Sequence, residues 1–287
     1  MQKRWFLELA REIRAGTKDE VFRPDAAVEV SVNPMGDKTI QADKRTEDAA
    51  LAAIRKWADG ECVPVAAVCE ETGIHLFGRG KPAWLFVLDP VDGSGNVKKG
   101  IDRSALGIAV ARVGRKKIEE VDVSDMEEAA IFVSNAGKKE EFYWRKGGPS
   151  MRNGEACAPS TRETLEGARV PLDLYEKIGT PVPPDMRRKL TQAVADSKPS
   201  DAFLVDASDV ASGKANGVVA TNQPVFHAPG IAMLIGTCSA TLLDTEGAPA
   251  RMRLLEVDGR VTVFAAGSRK MRDELLSLAG KERKKIR

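Results

Sequence analysis

The sequence predicts a mixed α/β fold, with helices first, then a sheet, and then alternating strands and helices. Apolar residues at helical spacing in two N-terminal segments indicate the first helices. Short apolar runs that end in carboxylates indicate buried strands in the middle of the chain. A length of 287 residues suits one large domain or two that share an interface. We therefore expect an N-terminal α+β half, residues 1–150, and a C-terminal α/β half, residues 151–287.

The first half is predicted to hold two helices followed by a sheet. The helix period follows Trp5 to Ile13 and again Arg45 to Trp57, with a loop from Asn33 to Lys38 between them. Apolar runs and one hairpin pattern predict the strands, which are Val65–Cys69, Trp84–Leu88, Ser104–Val113, Ala130–Ser134 and Glu141–Trp144.

Strands and helices alternate in the second half. Asn153-Gly154 marks a tight turn, and the proline-rich piece Pro181–Pro184 opens a helix over Asp185–Ala195. The remaining predicted strands are Ala202–Val205, Gly217–Ala220, Ala240–Leu243 and Val261–Ala265, and the remaining helices are Ser208–Ser212, Ile231–Ile235 and Arg269–Leu278. The mostly basic tail Lys281–Arg287 is expected to be solvated.

The composition excludes several classes of protein. Hydrophobic residues make up 43% and charged residues 30%, with a mean hydropathy of -0.27, so neither a disordered polyelectrolyte nor a membrane protein fits. Lysine and arginine total 44 against 42 acidic residues, a net charge of +2 that gives no reason to expect a nucleic acid or a membrane as partner. An anionic ligand would therefore need a local site.

Cysteine usage and the N-terminus indicate a cytoplasmic protein. The four cysteines lie far apart without zinc-ligand or redox spacing, which favours free thiols in a reducing compartment. The first residues alternate charge with apolar residues and show no secretory signal. The scarcity of glutamine and asparagine beside abundant lysine, arginine and glutamate hints at a thermophilic source.

Two aspartates at the end of a predicted buried strand are the most informative feature. Asp89 and Asp92 are three residues apart, and Pro90 stiffens the expected turn between them. Two carboxylates held this close repel each other unless a cation bridges them. Asp-Pro and Asp-Gly are also ordinary turn dipeptides, so a plain surface turn is the alternative.

Further residues near the pair favour a metal and phosphate site. Gly93-Ser94-Gly95 supplies unhindered backbone N–H groups, and a helix starting near Asn96 would point its positive end at the same place. Glu70-Glu71 ends the neighbouring strand, and Asp43 lies at the start of the second helix. Oxygen ligands of this kind suit Mg²⁺ or Mn²⁺ better than zinc.

These motifs resemble, in order, those of the inositol monophosphatase and archaeal-type fructose-1,6-bisphosphatase family. The matching segments are Gly36–Asp43, Glu70-Glu71 and Asp89–Ser94, with a typical spacing of 19 residues from Glu70 to Asp89. Further counterparts are Asn153-Gly154, Asp209–Asn216 and Asp244 followed by Gly247. The resemblance implies a layered α-β-α-β-α fold, Mg²⁺ dependence, hydrolysis of a small phosphomonoester and a homodimer.

The resemblance also implies roles for individual residues. Glu70, Asp89, Asp92 and the carbonyl group of Val91 would be metal ligands. Gly93 and Ser94 would hold the phosphate through their amides, and Asp43 and the Ser94 hydroxyl would form the dyad that orients the nucleophilic water. Glu70 is a further candidate catalytic residue. Asp37 and Lys38 belong to a loop that in relatives can help to hold a further metal ion, and Lys38 is a candidate substrate contact.

The sequence departs from the family late in the chain. An ungapped alignment places His227 where relatives carry an aspartate ligand of the second metal, and Ala220 where they carry an acidic sugar contact. His227 could be a substitute ligand that favours Mn²⁺ or Zn²⁺, a substrate contact, or a histidine without a role beside a damaged site. The change at Ala220 makes selectivity for inositol less credible than generic phosphatase activity.

The expected function is a metal-dependent phosphomonoesterase that acts on a small sugar or polyol phosphate, of the inositol-1-phosphate or fructose-1,6-bisphosphate type. The alternative is a catalytically weakened or silent family member that binds a phosphorylated metabolite or a protein, because of His227. The scarcity of histidine and the lack of GxSxG or GxxxxGK[ST] motifs argue against a nucleophilic triad and a P-loop.

Overall fold

Five alternating layers of helix and sheet form the part of the chain that the computed structural model describes, residues 5–174 and 184–280. Their order is helix, sheet, helix, sheet, helix, so the expected α-β-α-β-α architecture is confirmed. Most of the proline-rich piece, up to residue 183, and the basic tail from residue 281 lie outside the described residues.

Two helices form the first layer. They are α1 (Trp5–Thr17) and α2 (Gln41–Glu61), and a hairpin of β1 (Glu29–Val32) and β2 (Lys38–Ile40) lies between them in the chain. The ring of Trp5 stacks on that of Trp57, with centroids 4.3 Å apart. Both predicted helices are confirmed, and both extend beyond their predicted bounds because the polar residues at their ends carry no apolar period.

An eight-stranded sheet forms the second layer. Its strands are β3 (Val65–Cys69), β4 (Gly73–Phe77), β5 (Trp84–Asp92), β6 (Arg103–Arg112), β7 (Met126–Asn135), β8 (Lys138–Arg145), β9 (Ser150–Arg152) and β10 (Glu155–Cys157), in the order β10-β9-β8-β7-β6-β5-β3-β4. Neighbours are antiparallel except for the parallel pair β3 and β5. The five strands predicted in the first half all lie in this sheet, and a short helix, α3 (Ser94–Lys98), follows β5.

The remaining elements complete the stack. The small sheet holds β11 (Leu172–Asp173), β12 (Gly217–Pro224), β13 (Ser239–Leu243) and β14 (Arg260–Ala266), in the order β11-β12-β14-β13. Helices α5 (Phe203–Ala211) and α6 (Ala228–Thr237) lie between the two sheets, and α4 (Pro184–Ala193) and α7 (Arg269–Leu278) cover the far side. No helix among the described residues is long and apolar enough to cross a membrane.

Two predictions about local structure are wrong. Ala202–Val205, predicted as a strand, is the start of α5. This helix is buried between two sheets, so it is apolar on nearly every side, and a short apolar run does not distinguish such a helix from a strand. The expected turn between Asp89 and Asp92 is instead the end of β5, which continues to Asp92 with a shift in its register with β6.

A glycine lets the middle helices approach the large sheet. Gly107 on β6 pairs with Asp89, and a Cβ atom there would lie 2.3 Å from Cδ1 of Leu204 and 3.3 Å from Cγ of Pro229. Only a residue without a side chain leaves room for α5 and α6 at this place. The close approach brings residues of the C-terminal half against the carboxylates at the end of β5.

Candidate metal and phosphate site

Parallel pairing of two strands brings the first carboxylates together. Cys69 at the end of β3 pairs with Leu88 on β5, so Glu70 and Asp89 follow at the same edge of the sheet. Asp89 has no exposed surface. Among the described residues no N–H or O–H group donates to either of its oxygens, and Glu70 can share a hydrogen bond with it only while a proton lies between them. A buried carboxylate without donors is costly unless a cation balances it.

Asp92 is tied to the C-terminal half. Its Oδ2 accepts a hydrogen bond from the backbone N–H of Leu204, in the first turn of α5. Burial raises the pKa of Asp92 to about 7, although this hydrogen bond favours the charged form. Asp92 therefore joins the end of β5 to the start of α5 and faces the same space as Asp89.

Mutual repulsion adds to burial in the whole cluster. Burial raises the pKa of Asp89 well above its usual range, and the charges of Glu70 and Asp92 raise it further. The pKa of Glu70 is raised in the same direction by burial, and then by Glu71 and Asp43. Such a group holds protons when empty and releases them to a divalent cation.

Asp43 lies in the first turn of α2, as predicted. Its Oδ2 accepts the backbone N–H of Ile40 at 3.0 Å, while its Oδ1 is buried without a partner among the described residues. Burial, followed by the charge of Glu71, raises its pKa well above the usual range. The structure thus brings Asp43 to the carboxylate cluster with one free oxygen.

The end of β3 is held by a buried glutamate that sequence reasoning missed. Glu47 on α2 has no exposed surface, accepts the backbone N–H of Glu71 at 2.8 Å and also binds the hydroxyl group of Thr72. The hydroxyl group of Thr39 donates to Glu71, whose pKa burial raises to about 7. Glu47 carries no signal in the sequence, because a glutamate in a charged helix is usually solvated.

The backbone after Asp92 forms the expected turn. Gly93 has a φ of +89°, and a Cβ atom there would lie 2.9 Å from the carbonyl oxygen of Arg103. Ser94 starts α3, and the side-chain amide of Asn96 donates to the carbonyl groups of Arg103 and Ser200 at 2.9 Å each. These contacts fix the Gly93-Ser94 amides next to Asp92.

Two other predicted site residues lie in different surroundings. Val91 is buried and lies where β5 and β6 lose register, which leaves it outside the ladder pairs. Lys38 is exposed on the β1–β2 hairpin and pairs with Glu29 at 2.7 Å, so the structure does not bring it into the cluster. Lys98 on α3 pairs with the same glutamate at 3.6 Å and favours the charged forms of Asp43 and Glu71.

His227 faces the two aspartates of β5. Its Nε2 lies 3.4 Å from Oδ2 of Asp89 and 3.7 Å from Oδ1 of Asp92. Its Nδ1 lies 2.6 Å from Oε1 of Gln223, and its ring stacks on Phe203 with centroids 5.0 Å apart. Burial, helped by the charge of Arg260, lowers the pKa of His227 to about 3, so its imidazole is neutral.

The donor set fits a divalent cation. One ligand atom each from Asp89, Asp92 and His227 lies within 4.8 Å of the others. Asp89 and Asp92 are buried and His227 is largely so, and the unpartnered oxygens of Asp89 are acceptors that a cation would satisfy. Glu70 and Asp89 provide a neighbouring place for a hard cation with oxygen ligands.

Known proteins resemble this chain in sequence over about half its length. A Nus factor SuhB of Pseudomonas aeruginosa is 30% identical over 166 residues, which cover 56% of this chain and 55% of that protein. A fructose-1,6-bisphosphatase/inositol-1-monophosphatase of Archaeoglobus fulgidus is 31% identical over 161 residues, 55% of this chain and 54% of that protein. The chain thus spans about half the length of these curated relatives, and no family model matches it.

The fold resembles solved structures over nearly the whole chain. The extragenic suppressor protein SuhB of Bartonella henselae superposes with a TM-score of 0.76 at 20% identity, covering 97% of this chain and 100% of that one. The fold is therefore that of the inositol monophosphatase and SuhB proteins. The resemblance found in the sequence is confirmed: the chain is similar in sequence to proteins named SuhB and fructose-1,6-bisphosphatase/inositol-1-monophosphatase, and it shares their fold.

Proposed function

We propose that the protein is a metal-dependent phosphomonoesterase that acts on a small phosphorylated sugar or polyol. The observation that carries this proposal is Asp89, which is fully buried among carboxylates with no donor among the described residues for either oxygen. The backbone turn of Gly93 and Ser94 follows directly and can take a phosphate group. The relatives from archaea named as fructose-1,6-bisphosphatase/inositol-1-monophosphatase support the same reaction class.

The residues of the site have separable tasks in this proposal. Glu70, Asp89, Asp92, the Val91 carbonyl group and His227 would hold cations, which supply charge to the phosphate oxygens and acidify a water molecule. The Gly93 and Ser94 amides would orient the phosphate. Asp43, whose buried Oδ1 has no partner among the described residues, would take the proton of the attacking water, and the Ser94 hydroxyl group and Glu70 would orient that water.

The substrate class follows from what the site lacks. Ala220, on β12, is buried and apolar where relatives carry an acidic sugar contact. A carboxylate that would select for particular sugar hydroxyl groups is thus absent at this position. We therefore propose a broad set of phosphorylated sugars and polyols, with Mg²⁺ as the cation at the oxygen-rich position.

Phosphate release tests the proposal directly. The protein, stripped of metal and then supplied with Mg²⁺, Mn²⁺ or Zn²⁺, should release phosphate from members of a panel of sugar and polyol monophosphates. Asp89→Asn should remove this activity, whereas Asp48→Asn, on the exposed face of α2, should not. The proposal is wrong if the folded, metal-loaded protein releases no phosphate from any member.

A second function remains in competition because of His227. A family member that binds a phosphorylated metabolite without turnover would keep the fold and the Gly93-Ser94 turn but fail at the second cation. In that case the same panel would give saturable ligand binding, measured by calorimetry, without phosphate release. Turnover with two bound cations excludes it.

A further inference from the structure

The imidazole of His227 presents a lone pair to the carboxylates. Gln223 donates from its Nε2 to Oδ2 of Asp173 at 3.1 Å and to the carbonyl oxygen of Thr221 at 2.9 Å. The carbonyl oxygen of Thr221 can only accept, so the amide nitrogen must face it and Oε1 must face His227. Nδ1 of His227 therefore carries the proton, and the unprotonated Nε2 points at Asp89 and Asp92.

The distances fit ligands of one ion better than a direct ion pair. A charge-assisted hydrogen bond between imidazolium and carboxylate has a length of about 2.7–2.9 Å. The observed separations, 3.4 Å to Asp89 and 3.7 Å to Asp92, are longer. Ligand atoms about 2.1 Å from one ion stand about 3.0–3.5 Å apart at octahedral or tetrahedral angles. The 3.4 Å separation from Asp89 lies in this range, and the 3.7 Å separation from Asp92 lies just above it.

When Asp89 and Asp92 are ionised, no proton lies between these carboxylates and the imidazole. Nε2 then has its lone pair toward Asp89, and among the described residues no donor reaches either Asp89 oxygen. Stacking on Phe203 and the hydrogen bond to Gln223 prevent the ring from turning away. Acceptors held face to face in a buried site are stabilised by a cation placed between them.

We propose that Asp89, Asp92 and His227 form a cation site that prefers a transition-metal dication, such as Mn²⁺, Co²⁺ or Zn²⁺, to Mg²⁺, and that Gln223 is the positioning residue that aims His227 at the ion. Neutral imidazole is a good ligand for these metals and a poor one for Mg²⁺. Hydrogen bonding at the second ring nitrogen commonly orients histidine ligands. Of the three interpretations that the sequence leaves open, this selects the substitute ligand. It deepens the proposed function, but it is tested by metal binding without turnover.

The tautomer of His227 can be read by nitrogen NMR. The chain has two histidines, so the His75→Gln variant leaves one imidazole to observe. His75 lies on β4, where its Nε2 is 2.6 Å from the hydroxyl oxygen of Thr72, and it is not one of the three proposed ligands. We expect the Nδ1-protonated form in the metal-free protein and a shift of the Nε2 signal on adding Zn²⁺. An Nε2-protonated ring, or a signal that Zn²⁺ leaves unchanged, would overturn the proposal.

Metal selectivity is measured by calorimetry and by the visible absorption of bound Co²⁺. In the natural sequence Zn²⁺ and Co²⁺ should bind more tightly than Mg²⁺, and His227→Asp should reduce the ratio of the Zn²⁺ and Mg²⁺ affinities at least about tenfold. Gln223→Met keeps the size of the side chain but removes the acceptor. It should weaken Co²⁺ binding by about 10–100-fold and leave Mg²⁺ binding at the oxygen-rich position unchanged. An unchanged ratio in His227→Asp, with the fold intact by circular dichroism, contradicts the proposal.

Failure of this proposal and failure of the proposed function give different results. Tight Co²⁺ binding that depends on His227, without phosphate release, would support the cation site and contradict the proposed phosphatase activity. Phosphate release with Mg²⁺ alone, at full rate and with no dependence on His227, would support the phosphatase activity and contradict the cation site.

Discussion

At the scale of single residues, Asp89 is the carboxyl group of the described residues that has both oxygens buried without a hydrogen-bond partner. Its carboxyl group is fully buried, and Glu70 and Asp92 add repulsion to the loss of solvent. The carboxylate therefore lowers the stability of the metal-free fold while it serves ligand binding, as expected where a buried charge is kept for a ligand.

The Asp89→Asn variant separates the two effects. It should abolish binding of divalent cations, because the residue contributes to both proposed cation positions. The metal-free variant should nevertheless be more stable than the natural sequence, by about 1 kcal/mol or more, because an amide carries no charge and can donate to its neighbours. Urea unfolding in the presence of a chelator measures the difference. Lower stability of the metal-free variant would contradict the picture of clustered carboxylates.

Asp206 on α5 offers the same comparison away from the proposed ligands. It is almost fully buried, its Oδ2 accepts the backbone N–H of Ser200 at 3.1 Å, and burial raises its pKa to about 7. A carboxyl group with a raised pKa stabilises the fold below its unfolded pKa, and that stability is lost as the pH rises through about 7. Asp206→Asn should therefore increase the free energy of unfolding at pH 8, by about 1 kcal/mol or more since each pKa unit is worth about 1.4 kcal/mol.

The same substitution should change little at pH 5, where Asp206 is already protonated. Denaturant unfolding at both pH values measures the effect. Asp59→Asn, at an exposed position on α2, is the matched control and should show no such dependence. An equal change in the free energy of unfolding at both pH values would mean that the charge of Asp206 does not affect stability.

Sequence reasoning found the acidic residues of the site but not their supports. The acidic residues Asp89, Asp92 and Glu70 follow apolar runs, which located them at strand ends. Their resemblance to known motifs then implied their roles. Glu47 binds the backbone of Glu71, and Gln223 is held by Asp173, so both depend on residues far away in the sequence, and neither belongs to a pattern. The geometry that favours a ligand role for His227 depends on Gln223, so the sequence left that question open.

At the scale of elements, strands were easier to predict than the helices between the sheets. The strands of the large sheet are apolar runs bounded by turns, and all of those predicted are present. The start of α5 was predicted as a strand because burial on both sides removes the polar face that reveals a helix. The sequence gives no indication that α5 packs closely on β6, apart from the single glycine Gly107.

Gly107→Ala tests that close approach. An added Cβ atom would overlap Leu204, whose backbone N–H holds Asp92, so α5 must move or the side chain must leave its position. We expect a loss of about 1–3 kcal/mol in the free energy of unfolding, together with weaker metal binding. Gly60→Ala on α2, where a Cβ atom meets nothing within 4 Å, is the control and should leave metal binding unchanged. Normal stability and metal affinity in Gly107→Ala would show that α5 does not depend on this contact.

At the scale of the whole molecule, the layers let two distant parts of the chain share one site. The large sheet supplies Asp89 and Asp92, and the segment between β12 and α6 supplies His227 from the C-terminal half. The near-neutral net charge of +2 conceals this concentration of acid. The division into halves at residue 150 stays a prediction. The N-terminal half alone would lack His227, and the C-terminal half alone would lack the carboxylates of the site.

Stability should consequently depend on metal and pH together. In the metal-free protein the raised pKa values of Asp92 and Glu71, both about 7, favour the protonated folded form. Their contribution is complete below the unfolded pKa values near 4 and is lost as the pH rises through about 7, so the metal-free protein should become less stable from pH 5 to pH 8. A cation needs the deprotonated groups, so its stabilising effect should grow over the same range, to about 2.7 kcal/mol when its concentration is 100 times the dissociation constant. Calorimetric melting of chelated and Mn²⁺-loaded protein at both pH values measures this, and Asp89→Asn should remove the metal effect. A melting difference that shrinks toward pH 8 would mean that the buried carboxylates are not the cation's ligands.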